Sequence, residues 1–325
     1  MIIGHERQVE YLNRVRERGR LAHAYLFYGP EHAGKMTIAK ALAKTLRCLS
    51  PAAFTGEDEN KKRKISLQSP CGKCAECRMI DEDTHPQVIV LDRVHTLTSE
   101  KETRKDIPIA DIRELKRRFS LAPEGERWRV AIINEADTMN EESASAFLKL
   151  LEEPGSQTLL ILISSAPDLL LETIRSRAHQ IRFTHVAEEK IVSYLESEMN
   201  DRKSAREIAD RAFGRPGIAL RMARDAQYRE REKKFMRRFE EARAGGILHM
   251  LSISKDAAGD EDARRKITEE VLRLLRRRLR DAVEHEDVMR AVEKIRAVDR
   301  IATLLDTTNV NPRLALDAMF LEIAD

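Results

Sequence analysis

Four short, uninterrupted apolar runs dominate the first half of the chain: Ala24–Tyr28, Val88–Leu91, 130–133 and 159–163. None alternates apolar with polar as a strand with one wet face would, and helical stretches separate them, notably 37–46, 109–119 and 141–151. A strand that is apolar at every position must be covered on both faces, and parallel partners need a crossover long enough for a helix. The pattern predicts an α/β unit built on a parallel sheet with helices on either side. After about residue 165 the strand-like runs stop. Residues 188–199 and 204–213 read as amphipathic helices, and from about 225 onward the chain reads as long charged helices broken at Gly245-Gly246 and Ala258-Gly259. Asn311-Pro312 supplies an N-cap and a first-turn proline for the last of these. The expected plan is an α/β domain over 1–165, a small helical domain over 166–224 and a larger helical domain over 225–325. A chain of 325 residues has room for two or three such units.

Composition narrows the function classes. Aromatics are only 5% with a single Trp, which argues against a β-sandwich or a binding module built on aromatic platforms. Lys and Arg number 58 against 55 Asp and Glu, so charge alone does not point to nucleic acid. No stretch approaches the ~20 apolar residues of a membrane-spanning helix, and the opening Met1-Ile2-Ile3-Gly4-His5-Glu6 has no secretory pattern. These features set the expectation of a soluble cytoplasmic protein that does not engage a membrane.

The first strand runs into Gly29-Pro30-Glu31-His32-Ala33-Gly34-Lys35, seven of the eight positions of the phosphate-binding G-x-x-x-x-G-K-[ST] loop, placed between strand and helix as that loop requires. There, backbone amides and a helix N-terminus cradle phosphates, and Lys35 would reach the β- and γ-phosphates. The alternative is a glycine-rich turn with an incidental lysine. The eighth position is Met36, whose thioether offers magnesium nothing, and the third strand ends on Asn134 where an acidic ligand would stand. Glu135 occupies the place of a water-activating carboxylate. Loss of the hydroxyl and of the carboxylate on opposite sides of one ion predicts a degenerate site without Mg²⁺ chemistry. Whether it still holds ATP or ADP is left open.

Three of the four cysteines lie in Cys71-Gly72-Lys73-Cys74-Ala75-Glu76-Cys77, and the fourth is Cys48. Such bunching reads as a metal site before it reads as a disulfide scaffold. Four thiolates would close a tetrahedral, water-free structural zinc module over 48–77. The fourth ligand is Cys48 or His85, with Cys48 preferred because a longer connecting loop adds little entropy. An iron–sulfur cluster or free thiols are the alternatives. The polar segment between Ser50 and Pro70, with its Lys61–Lys64 run, reads as a mobile insertion.

Several further motifs follow in order: Ile3-Gly4-His5, His23-Ala24-Tyr25-Leu26-Phe27, Ile109-Ala110-Asp111-Ile112-Arg113, Ala146-Phe147-Leu148-Lys149-Leu150-Leu151-Glu152-Glu153-Pro154 and Thr173-Ile174-Arg175-Ser176-Arg177. With the modified phosphate loop and the cysteines, the set resembles bacterial clamp-loader subunits of the AAA+ class, densely over 1–220 and faintly to the final helix near 309–316. Met36 and Asn134 place the resemblance with the delta-prime kind and not with the sister tau/gamma motor, which keeps an intact loop. Ala178 and Ser145 depart from the family's usual Cys and Asn. The resemblance implies an AAA+, P-loop NTPase-like parallel-sheet domain, a helical lid and a helical collar. It also implies a hetero-oligomer with tau/gamma and delta subunits that loads a sliding clamp on primer-template DNA in replication.

In that setting Arg177 matches the arginine finger, a planar cation donated in trans to a neighbour's ATP. Arg175 is the weaker candidate. Gly214-Arg215-Pro216-Gly217 resembles the second sensor region but reads as a helix cap. The arginines between Leu272 and Arg280 suit a collar helix or a DNA contact, the helix being preferred. A motor-type ATPase and a zinc-dependent nucleic-acid-binding protein remain the alternative functions.

Overall fold

The computed structural model describes residues 2–49, 66–67, 70–98, 105–120, 127–282, 285–308 and 310–323. Most of the polar insertion, including Lys61–Lys64, lies outside these residues. One part of it departs from the expectation of mobility: Leu67 is buried, and its amide donates to Asn13 Oδ1 at 2.8 Å.

The chain divides into two compact units, 1–223 and 224–325. In the first, α1 (Glu6–Glu17) leads into β1 (Ala24–Tyr28), followed by α2 (Lys35–Arg47), the short α3 (Ala75–Asp81) and β2 (Val88–Leu91). Then come α4 (Ile109–Ser120), β3 (Arg129–Ile133), α5 (Glu141–Glu152), β4 (Thr158–Ser164), α6 (Glu172–Arg175) and β5 (His179–Arg182). The sheet order is β2-β3-β4-β1-β5, and every pair is parallel. The three longest strands, β3, β4 and β1, lie side by side, with Leu26 opposite Leu162 and Ile132 opposite Ile161.

The two faces of the sheet divide by alternation, as the pleat requires. Leu26, Ala131, Ile133, Leu160 and Leu162 pack with Ile112, Leu115 and Phe147 of α4 and α5. Tyr25, Phe27, Val130, Ile132 and Ile161 pack with Leu12, Ile38, Leu42 and Ile80 of α1, α2 and α3. Both faces are apolar because both are covered. This is the expected parallel α/β architecture.

The sequence reading that strands end at residue 165 is corrected by β5. It is an edge strand of four residues in which only Ile181 is buried, so it carries no apolar run. Pairing with β1 makes it a strand, through contacts such as Leu26 beside Gln180.

Helices α7 (Glu188–Met199), α8 (Arg202–Ala212) and α9 (Pro216–Arg224) follow. Asp201 caps α8 through the amides of Lys203 and Ser204, which starts that helix slightly earlier than its apolar spacing indicates. The second unit consists of α10 (Ala226–Ala244), α11 (Ile247–Ala257), α12 (Glu261–Asp281), α13 (His285–Thr307) and α14 (Pro312–Ile323). Its core gathers Phe239, Met250, Ile267, Val271, Leu275, Leu316 and Phe320. On α12, Arg273 pairs with Glu270 at 2.8 Å and Arg278 donates to the carbonyl of Ile323 at 3.1 Å. The arginine-rich helix thus packs by its leucines and spends two of its cations internally.

Candidate functional site

The loop from β1 to α2 has the strand–turn–helix setting of a phosphate cradle, and steric demands explain its glycines. Gly29 has φ +134°, and a Cβ there would stand 2.2 Å from the carbonyl oxygen of Phe183, just beyond β5. Gly34, at φ +107°, caps α2 in a conformation that L side chains rarely adopt.

The loop's carbonyls are engaged by the chain itself. Lys35 turns back so that Nζ donates to the carbonyls of Gly29 and, at 2.7 Å, Pro30. The residue is only 6% exposed, and burial brings its ammonium from the ordinary 10.5 down to about 8. His5 Nε2 bonds the carbonyl of Ala33 at 2.7 Å, which requires the proton on Nε2, and its ring stands edge-on to Phe183. Burial lowers the His5 pKa and keeps the ring neutral. From the other side the Gly217 amide donates to the carbonyl of His32 at 2.9 Å, and a side chain at 217 would press on His32. Three elements therefore hold the loop: its own lysine, the segment before α1 and the start of α9. Sequence reading singled out Gly214–Gly217 as a cap, and Arg215 does accept at the start of α9. The grip of Gly217 and His5 on the loop carries no local signature, since it is made across 185 and 28 positions of chain.

The expected metal side of the site is also spoken for. Met36 packs against the apolar core between the sheet and α2. Asn134 follows β3 with its amide bonded to Leu91 O at 2.8 Å. Glu135 adopts a left-handed backbone, φ +51°, and its carboxylate pairs with Arg93 Nε at 2.6 Å. No motif flagged Arg93.

Arg177 lies beyond α6, where its guanidinium is 40% exposed. Nη1 donates to the carbonyl of Thr173 at 3.0 Å and Nη2 pairs with Glu152 at 3.1 Å. Arg175, the weaker candidate, pairs instead with Asp168 at 2.8 Å. Ala178 is buried in the core beside Ile174, so the residue after Arg177 is a packing position.

The four sulfurs of Cys48, Cys71, Cys74 and Cys77 converge to within 4.8 Å of one another. A tetrahedral ion with Zn–S bonds of ~2.3 Å would place sulfurs ~3.8 Å apart, and Cys48 to Cys74 is 4.0 Å. The donor set and spacing fit such an ion. Amides also aim at the sulfurs: those of Lys73 and Cys74 at Cys71, that of Cys77 at Cys74 and that of Cys71 at Cys48, all between 3.3 and 3.5 Å. For Cys74, burial opposes ionisation, but amide bonds from Cys77 and Leu49 outweigh it and bring the thiol to about 6. Burial raises Cys77. His85, the alternative fourth ligand, bonds Glu76 at 2.8 Å and is not among the converging groups.

Residues 4–187, more than half of the chain, match the family model of the DNA polymerase III delta subunit. The chain belongs to that family. Its relatives include the DNA polymerase III subunit delta' of Pseudomonas aeruginosa, 35% identical over 163 residues, which cover 50% of this chain and 43% of that protein. The subunit delta' of Bacillus subtilis is 29% identical over 224 residues, covering 69% and 60%. The subunit tau of Escherichia coli is 31% identical over 206 residues, covering 63% and 28%. The matches therefore span less than two thirds of each relative's length. Family membership and the observed sheet identify the first unit as an AAA+, P-loop NTPase-like fold, followed by a helical C-terminal region. Among the described residues no helix is long and apolar enough to cross a membrane.

Proposed function

We propose that this chain is the non-motor, delta-prime-like subunit of a DNA polymerase III clamp loader. It would assemble in the cytoplasm with tau/gamma motor subunits and delta, and help to open the sliding clamp and place it on primer-template DNA. The observation that carries this reading is an asymmetry between two sites. In the chain's own phosphate loop Lys35 turns back onto the carbonyls of Gly29 and Pro30, Met36 and Asn134 stand where a hydroxyl and a carboxylate are expected, and Glu135 is paired to Arg93. Arg177 meanwhile presents a half-exposed guanidinium on the surface beyond α6. A cation without a local phosphate to serve is suited to serve a neighbour's.

In this reading 1–165 is the α/β domain, 166–224 a lid and 225–325 a collar for assembly. The four cysteines hold a structural zinc ion. With four protein ligands it has no open position and supplies no catalytic chemistry. Elemental analysis of the chain prepared without chelator is expected to give one zinc. Finding iron, or no metal, would reject that part.

The deciding experiment is reconstitution with the motor subunits, clamp and primed DNA, using wild type, Arg177→Ala and Arg177→Lys. Both variants should assemble, yet lower clamp-stimulated ATP hydrolysis and loading, since an ammonium cannot reproduce the planar fork. A trans arginine can be worth ~10³–10⁵ in rate at its own site, but only one of several sites is affected, so the loss for the whole complex is smaller. Wild-type loading by Arg177→Ala would leave the chain as a purely architectural end-piece. The second reading is a motor-type ATPase, favoured by the similarity to tau. Lys35-dependent hydrolysis by the isolated chain would establish it.

A further inference from the structure

Helix α2 ends where the sulfur cluster begins, with Cys48 as its C-terminal cap. The other three sulfurs belong to α3 and the turn before it, and α3 has only seven residues, too few to hold helical form in water unaided. Three acids tie it down. Along one face of α2, Lys40, Lys44 and Arg47 stand at the spacing i, i+4, i+7, and they meet Asp83, Asp81 and Glu76 respectively.

The Glu76 contact differs from the other two in being sealed. The side chains of Arg47 and His85 are 6% and 0% exposed, and Glu76 is 14% exposed. Arg47 Nε and His85 Nε2 both donate to Glu76 Oε2, each at 2.8 Å. The Gln87 amide donates to His85 Nδ1 at 2.9 Å, so the imidazole proton is on Nε2, where Glu76 receives it. Arg47 Nη1 reaches the carbonyl of Trp128 beside β3 at 3.4 Å. One carboxylate is thereby fixed to the last turn of α2, to the approach to β2 and, through Arg47, to the approach to β3. Removing one member of such a buried set strands the others' charge.

The position of Glu76 gives the network a purpose. It lies between Cys74 and Cys77, so anchoring its side chain fixes the backbone that carries both sulfurs, while Arg47 is the residue before Cys48. We infer that the Arg47–Glu76–His85 network positions the four sulfurs independently of any metal, so that an ion enters a preformed site. Small zinc fingers behave oppositely, with the metal supplying the fold. Glu76 is here a positioning residue and touches no ion. The inference rests on the reading of the four sulfurs as a metal site.

The test uses the full chain stripped of metal with a chelator. Hydrogen exchange of the 75–81 amides is measured first. Zn²⁺ affinity is then measured by competition with a chromogenic chelator for wild type, Glu76→Gln and Glu82→Gln. Glu82 is an exposed acid at the end of the same segment and controls for net charge. In the metal-free wild type the 75–81 amides should stay protected. Glu76→Gln should lose that protection and bind Zn²⁺ about 10–100-fold more weakly, the usual loss when support behind a ligand set is removed, while Glu82→Gln matches wild type. Unprotected 75–81 amides in the metal-free wild type would overturn the inference, whatever the variants do. So would a Glu76→Gln affinity equal to that of Glu82→Gln. If no form takes up Zn²⁺, the metal reading fails, while the exchange result still decides whether the network docks the segment.

Discussion

Lys35 offers a direct measure of how firmly the phosphate loop is shut. Its ammonium lies under the loop with two backbone carbonyls as partners, and burial lowers its pKa from 10.5 to about 8. In the unfolded chain the same group titrates near 10.5, so between pH 8 and 10.5 the unfolded state carries a proton that the native state has released. Stability must therefore rise with pH across this window, with the full cost of the buried charge present below pH 8 and absent above 10.5. At ~1.36 kcal/mol per pKa unit the whole effect is roughly 3 kcal/mol, most of it gained between pH 7 and 10. Lys35→Met keeps the length of the side chain and removes the charge, leaving the carbonyls of Gly29 and Pro30 without a donor at a cost of about 1–3 kcal/mol each. The variant and wild type should thus differ little near pH 7 and diverge as pH rises. Urea unfolding followed by fluorescence of Trp128, the single tryptophan and part of the first unit, reads the difference directly. Other groups that titrate near pH 10 are common to both proteins and cancel. A wild-type-minus-variant difference that stays flat from pH 7 to 10 would mean that Lys35 reaches water and that the loop is not closed on it.

Gly29→Ala should destabilise the first unit by about 2–5 kcal/mol, combining a left-handed φ with a Cβ driven into the carbonyl of Phe183. The same urea titration measures it, and a loss under 1 kcal/mol would show that β5 can move aside. In the second unit, the hydroxyl of buried Ser254 lies within hydrogen-bond reach of Leu251 O at 2.9 Å and of a carboxylate oxygen of Asp317 on α14, and its single proton serves the Asp317 contact. Ser254→Ala should cost about 0.5–1.5 kcal/mol by removing that hydrogen bond while Asp317 keeps Arg313 at 3.9 Å, seen as faster hydrogen exchange in α14. Unchanged exchange there would rule the contact out as a tie between α11 and α14.

Runs that are apolar on both faces leave no stable arrangement except a covered parallel sheet, so the architecture of the first unit was legible without coordinates. The residue types at the phosphate-loop positions were legible because a short motif fixes those positions, and they put a thioether at Met36 and an amide at Asn134 where a hydroxyl and a carboxylate are expected. The cysteine spacing likewise announced a four-sulfur group, and the structure brings Cys48 into it while His85 turns to Glu76.

Strand β5 was not legible, since a short edge strand buries only Ile181 and becomes a strand through its neighbour's hydrogen bonds and not through its own composition. Nor were the pairs Arg93–Glu135 and Arg177–Glu152, or the hold of His5 and Gly217 on the loop. A hydrogen bond depends on two groups arriving within about 3 Å of each other. Sequence lists the groups, but only the packing of the sheet and helices brings residues distant along the chain to that separation. The residue types by themselves determined which groups, a thioether at Met36 and an amide at Asn134, stand at the positions of the magnesium ligands. Tertiary structure decided what the neighbouring groups touch, with Lys35 on the carbonyls of Gly29 and Pro30 and Arg93 on Glu135.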